Sequence, residues 1–393
     1  MKDKTAFVGG KSKARFSALD WLLLPLVGLL TIGIISGTTE WIARKETAVY
    51  STCETRIDGS FGLRFTPNST CIEKVPEGLP VRYQINSCGH RAHMECGAKP
   101  AGIYRIVVIG SSLAFGSRVP WEETFPARLP KQLSRETGHA VEVYNEGILE
   151  WGTPRVLASR MNEVLAEQPD LILVIISPWD VENASVLISE LPRRRPNQSL
   201  LARIKAGPLP QSLLEVIRGL GKQSTAAFWL RHFIFRSQSQ LVAATLNKKE
   251  SAGFLRSDFD PAWRDHLREF DSQFATIAGS AAAAKVPITA VLIPDRAEAA
   301  MVWMGTWPEG YDPYKLDREL RSIVRSHGGV YVDILPGFRN TPDPGDSYFP
   351  NDGHPDGNGH ELISELLTES LIASPIPALT ASPNAQSGIG IAR

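Results

Sequence analysis

Residues 171–176 read Leu-Ile-Leu-Val-Ile-Ile, a short run with no polar position. A strand with one wet face alternates apolar and polar residues, so an unbroken run predicts a strand covered on both faces, as in a parallel sheet. Further runs rich in β-branched and apolar residues, each with one polar position, occur at 105–109, 140–144, 288–293 and 330–334. Between them the apolar spacing turns helical: Phe125, Leu129 and Leu133 within 122–135, then 154–167, 314–326 and 360–372. Asp260 and Pro261 open a further helix that gathers Trp263, Leu267, Phe270, Phe274 and Ile277 on one face. Strands alternating with helices predict an α/β fold, a doubly wound flavodoxin-like parallel sheet with helices on both faces and its site beyond the strands' carboxyl ends.

Ahead of this pattern, residues 21–39 (WLLLPLVGLLTIGIISGTT) carry no charge. At about 1.5 Å per helical residue such a run nearly spans a hydrocarbon core of about 30 Å, so residues 21–42 are expected as a transmembrane anchor. Lys2, Lys4, Lys11, Lys13 and Arg15 precede it, which keeps the basic segment 1–20 cytoplasmic and exports the rest. The expected place is a bacterial inner membrane, single-pass, with the bulk of the chain periplasmic or extracellular. A cleavable signal peptide is the alternative, against which stand the length of the run and its lack of an A-x-A site. The 42 basic and 42 acidic residues cancel, which gives no electrostatic reason to expect a nucleic-acid partner.

Cys53, Cys71, Cys88 and Cys96 all fall in a leader segment, 43–100, on the exported side, where oxidation is permitted. Two disulfides are expected, with three pairings open. Zinc fits poorly, because spacings of 18, 17 and 8 contain no C-x-x-C knuckle. The main domain is expected over 101–373, interrupted by a helical insertion at about 184–259. That insertion begins with Arg193, Arg194 and Arg195 and carries Phe228, Trp229, Phe233 and Phe235. Its aromatic helix suits packing onto the main domain, with a lid or a seat against the bilayer as the functional alternatives. Residues 374–393, rich in Pro, Ala, Ser and Gly, are expected as a disordered tail.

The chemistry concentrates at the two ends of the main domain. Gly110-Ser111-Ser112-Leu113-Ala114-Phe115-Gly116 follows the first strand, where a doubly wound fold displays loop side chains. A serine hydroxyl needs a histidine to take its proton and a carboxylate to orient that histidine. Asp352 and His354, two apart in the Gly-rich loop before the last helix, supply both. A metal reading of Asp352, His354, Asp356 and His360 leaves the Ser112 loop without a role, so no metal is assigned. Nothing in the sequence specifies a cofactor.

On these blocks the chain resembles the SGNH/GDSL hydrolases, over about 81–183 and 288–372. It is most similar to their membrane-anchored bacterial branch, whose leader resembles Ile85-Asn86-Ser87-Cys88-Gly89-His90-Arg91. The resemblance implies Ser112 as nucleophile, His354 as base and Asp352 as orienter, with Asp352, His354, Gly359 and His360 forming the closing block. Gly147, Glu150 and Trp179 are the implied oxyanion or substrate-binding positions. Three residues depart from the family pattern: Ser111 for aspartate, Glu150 for the oxyanion glycine and Trp179 for the oxyanion asparagine. The two-residue step from Asp352 to His354 also looks like that of polysaccharide O-acetyltransferases. The expected function is a serine esterase or O-acyltransferase acting on acylated carbohydrate or another envelope ester. The alternative is a catalytically impaired relative that binds glycan or a polysaccharide-assembly partner.

Overall fold

The computed structural model describes residues 18–46, 50–53, 55–58, 62–92, 94–149, 153–186, 224–248, 252–376 and 379. Helix α1 (Ala18–Glu46) is followed by short strands β1 (Tyr50–Ser51), β2 (Thr55–Asp58), β3 (Gly62–Phe65), β4 (Thr70–Lys74) and β5 (Val81–Gln84). Next come β6 (Ile103–Ile109), α2 (Ser112–Phe115), α3 (Phe125–Thr137), β7 (Ala140–Asn145), α4 (Pro154–Ser159), α5 (Met161–Ala166), β8 (Leu171–Ile176) and α6 (Pro178–Glu182). After α7 (Thr225–Ile234) and α8 (Gln238–Leu246) the chain runs through α9 (Pro261–Ala283), β9 (Ile288–Leu292), α10 (Arg296–Met304), α11 (Lys315–Ser326), β10 (Val330–Val332) and α12 (Gly357–Ala373).

Strands β6 to β10 form one parallel sheet in the order β10-β9-β8-β6-β7. Numbered within the sheet this is the flavodoxin-like order 2-1-3-4-5, whose chain direction switches between β6 and β8. Successive residues of β6 face opposite layers. Ile106 and Val108 pack with Leu129 and Leu133 of α3 and Ile363 and Leu367 of α12. Val107 and Ile109 pack with Val156 and Leu157 of α4 and Phe270 and Phe274 of α9. All six residues of β8 are buried, as its unbroken apolar run requires.

Several elements differ from the sequence expectation. The helix expected over 154–167 breaks at Arg160, whose buried side chain bonds Glu163 (3.0 Å) and pairs with Glu146 (3.5 Å). Glu122 belongs to a 3-10 turn, Trp121–Glu123, ahead of α3. Helix α12 starts at Gly357 because Asp356 caps it, accepting from Gly359 N at 3.0 Å. Helix α10 was not expected at all: Ala297, Ala299, Ala300, Met301 and Val302 are buried all round it, so no amphipathic period marks it.

The leader segment folds as an antiparallel β1-β4-β5 sheet and a β2–β3 hairpin. Of the three possible pairings it holds Cys53–Cys71 and Cys88–Cys96. Within α1, residues 25–45 have a mean hydropathy of 1.5, enough by length and composition to cross a membrane, a test that a signal sequence also passes. The basic segment before residue 18, the Arg193–Arg195 triplet with the rest of 187–223, Glu150 and most of the expected tail lie outside the described residues, but Ile376 and Leu379, expected in that tail, are instead buried in the core with Ile363 and Leu367.

Candidate active site

At the end of β6 the backbone turns at Gly110, where a Cβ would stand 2.9 Å from the Ile175 carbonyl oxygen. A side chain there would push β8 away from β6. The turn delivers Ser112 as the first residue of α2, which closes at Gly116 in the left-handed region (φ 72°). Gly147, on the loop after β7, lies against α2 so closely that a Cβ would sit 2.2 Å from Phe115 N. Its own N–H donates to Asn145 Oδ1 (2.9 Å).

From the other end of the domain, the loop before α12 brings His354 Nε2 to 2.8 Å from Ser112 Oγ. His354 Nδ1 lies 2.6 Å from Asp352 Oδ1. A third group, unmarked in the sequence, joins them: Arg118 Nη1 contacts Asp352 Oδ1 and lies 2.6 Å from His354 Nδ1. Burial first, and the Arg118 guanidinium second, push the His354 imidazole down to about 3, while the carboxylates of Glu73 and Asp295 act the other way. The imidazole is therefore neutral throughout the neutral pH range, the form that can accept a proton.

The loop carrying Asp352 and His354 is held from two sides. Glu77, from the leader segment, has a side chain 1% exposed. It accepts from Asn351 N (2.9 Å to each oxygen), Asn351 Nδ2 (3.2 Å) and Asp352 N (2.9 Å). His232 Nδ1 of α7 also meets Glu77, at 2.7 Å. Arg296 also donates to Pro350 O of the same loop. Arg91, the last residue of the leader block, performs the matching task for the serine. Its buried guanidinium donates to Phe115 O (3.0 Å) in the last residue of α2 and to Gly116 O and Val119 O beyond it, and its Cζ lies 4.4 Å over the Tyr83 ring. The leader thus braces both halves of the site. An isolated Glu or Arg gives no periodic signal, so sequence reasoning had no means to single out Glu77 or Arg118.

Other positions flagged in the sequence have separate surroundings. Ser177 donates its N–H (2.8 Å) and Oγ (2.6 Å) to Asp180 Oδ2, and burial raises this carboxyl to about 6. The Ser111 hydroxyl faces the same group, so a carboxylate borders the serine turn although residue 111 itself is not acidic. Trp179, the third residue after β8, is 38% exposed. His360 is buried, stacked on Phe125 with its Nδ1 accepting from Phe125 N at 3.3 Å, and Asp356 is spent on the α12 cap. Asp352 and His354 thus face each other, whereas Asp356 and His360 are turned to partners outside that pair.

A flavodoxin-like sheet with a serine after its first strand and a histidine before its last helix fits the esterase-type fold of the SGNH/GDSL hydrolases. The model of the GDSL-like Lipase/Acylhydrolase family matches residues 108–362, and the chain belongs to that family. Solved structures to which it is similar include a catalytic mutant of Axe2, an acetylxylan esterase from Geobacillus stearothermophilus, at 15% identity, covering 70% of this chain and 96% of that one with a TM-score of 0.38. LAE5, an alpha/beta hydrolase enzyme from the metagenome of Lake Arreo, Spain, is similar at 13% identity, covering 68% and 94%, with a TM-score of 0.39. No curated protein matches the chain in sequence.

Proposed function

We propose that the protein is a serine esterase or O-acyltransferase in which Ser112 is the nucleophile, His354 the general base and Asp352 its orienting carboxylate. The observation that carries this reading is the continuous line from Ser112 Oγ through His354 (2.8 Å) to Asp352 (2.6 Å). With its proton on Nδ1, held toward Asp352, the imidazole turns the Nε2 lone pair to the serine hydroxyl. His354 takes the hydroxyl proton as Oγ attacks the ester carbonyl. The tetrahedral oxyanion collapses, the C–O bond to the alcohol breaks, and the alcohol leaves with the proton from Nε2. Water, or a hydroxyl of a second sugar, then gives its proton to His354 Nε2 as it attacks the acyl-enzyme; the acyl–Oγ bond breaks and Ser112 leaves with that proton from Nε2. The chain's membership of an acylhydrolase family supports ester chemistry.

An ester carried on carbohydrate is the proposed substrate. The partly exposed Arg118 guanidinium and Asp352 carboxylate at the site, and the exposed indole of Trp179 after β8, offer hydrogen bonds and a stacking face for sugar hydroxyls and rings. With α1 read as a single-pass anchor and the disulfide-bonded leader on the oxidising side, the site acts at the outer face of a bacterial inner membrane. A fluorophosphonate probe tests the catalytic reading. Labelling of wild type that is lost in both Ser112→Ala and His354→Ala supports it. Absence of labelling in folded wild type favours instead a glycan-binding relative whose rate Trp179 has suppressed.

A further inference from the structure

We propose that α7 is an interfacial helix, whose face carrying Leu230, Phe233 and Ile234 seats in the headgroup region of the phospholipid bilayer that α1 enters; this rests on α1 being a membrane span. Glu40 is the first charged residue after the uncharged run 21–39, so it marks the level at which α1 leaves the hydrocarbon. Its carboxylate accepts from Ser224 Oγ (2.8 Å), Thr225 N (3.0 Å) and Ala226 N (3.1 Å), an acidic cap on the first turn of α7. Helix α7 therefore begins at the membrane surface.

One side of α7 is bound to the protein. Phe228 O accepts from Asn351 Nδ2 at 3.0 Å, His232 meets Glu77, and just past the helix end Phe235 O accepts from Arg296. The other side is apolar and open: Leu230, Phe233 and Ile234, spaced three and four apart, are 61%, 64% and 39% exposed. Leu26, Leu29, Leu30 and Ile32 of α1 are exposed to the same degree, and with α1 read as the span the bilayer covers them, so the α7 face is a second open apolar surface on the helix that Glu40 ties to α1. Exposed Arg231 and Arg236 flank the patch, where anionic headgroups would meet them. Because α7 also touches Asn351, next to Asp352, lipid contact would fix the height of the ester site above the membrane.

The test uses the full-length chain in nanodiscs of phosphatidylethanolamine and phosphatidylglycerol. An environment-sensitive fluorophore is placed at Phe233→Cys or Leu230→Cys, with lipids bearing a nitroxide either near the headgroup or deep in the acyl chain. Leu29→Cys in α1 reports the span. Arg135→Cys, on the exposed carboxyl-terminal turn of α3 at the far end of the sheet, reports water. The expected result is quenching of positions 230 and 233 by the shallow nitroxide, of 29 by the deep one, and of 135 by neither. Quenching at 29 with positions 230 and 233 unquenched overturns the proposal while leaving the span intact. The proposal fails in that case whether their emission shows water or a protein cover such as a second copy. No quenching at 29 removes the span and the proposal with it. Probe labelling of Ser112 is read separately, so failure of the esterase reading is distinguishable from either result.

Discussion

Replacing Glu77, which lies outside the family-matched region, is expected to disable the site without touching substrate. The Glu77 carboxylate is the acceptor for the backbone N–H groups of Asn351 and Asp352 at 2.9 Å and for the Asn351 amide at 3.2 Å. Hydrogen bonds to a charged acceptor contribute about 1.5–3 kcal/mol each. With water partly replacing the lost acceptor in Glu77→Ala, the preference of the loop for its present geometry should fall by about 2–4 kcal/mol. At about 1.4 kcal/mol per decade, kcat for a p-nitrophenyl acetyl ester should drop by about 30- to 1,000-fold, with KM little changed because the loss lies in alignment. Glu77→Gln retains one acceptor oxygen and should stay within about tenfold of wild type by the same scale. Asn351→Ala combined with Glu77→Ala should cost less than the sum of the two, since both break one network. A Glu77→Ala enzyme within about threefold of wild type in kcat would refute the reasoning, since that is less than the tenfold that one such bond should cost.

Three further outcomes are expected. With His354 pushed down to about 3, the general base stays unprotonated well below pH 6.5, so the acid limb of kcat/KM should lie far under that value. Arg118→Ala should move this limb upward, and an unmoved limb would remove Arg118 from the electrostatics of the site. Burial likewise lowers His360 to about 3, below its unfolded value near 6.5, so the unfolded chain binds the extra proton and stability is lost as pH falls from 6.5 toward 3. At pH 4.5 this costs about 2–3 kcal/mol, and His360→Gln should melt with a weaker acid dependence than wild type; equal slopes would exclude His360 as the cause. Trp179→Asn puts a side-chain amide at the position that the sequence resemblance aligns with the oxyanion asparagine, and on that reading should raise kcat by about 10- to 100-fold; a fall would mean that the indole itself serves the reaction.

The sheet was legible because β8 and its neighbours are buried on both faces, and that burial leaves continuous apolar runs. The same all-round burial hid α10, whose Ala-rich sequence shows no stripe, and a buried charge pair at Arg160 divided a helix that periodicity alone makes continuous. Ser112, Asp352 and His354 stood out because nucleophile, base and carboxylate fall in Gly-rich blocks after a strand and before a helix. Glu77 and Arg118 did not, since their meaning depends on contacts with residues 275 and 234 positions away. The disulfide pairing was open for the same reason: spacing allows three pairings, and the fold of β1, β4 and β5 selects one.

The most direct test of the central claim is trapping of the acyl-enzyme. Full-length wild type and Ser112→Ala are mixed with p-nitrophenyl acetate, quenched in acid within the first turnover and read by intact mass and peptide mapping. One acetyl group on the peptide carrying Ser112 in wild type, absent from Ser112→Ala, is the predicted result. A folded wild type that releases no p-nitrophenol and carries no acetyl group, or one acetylated at another residue, would contradict the assignment of Ser112 as the nucleophile.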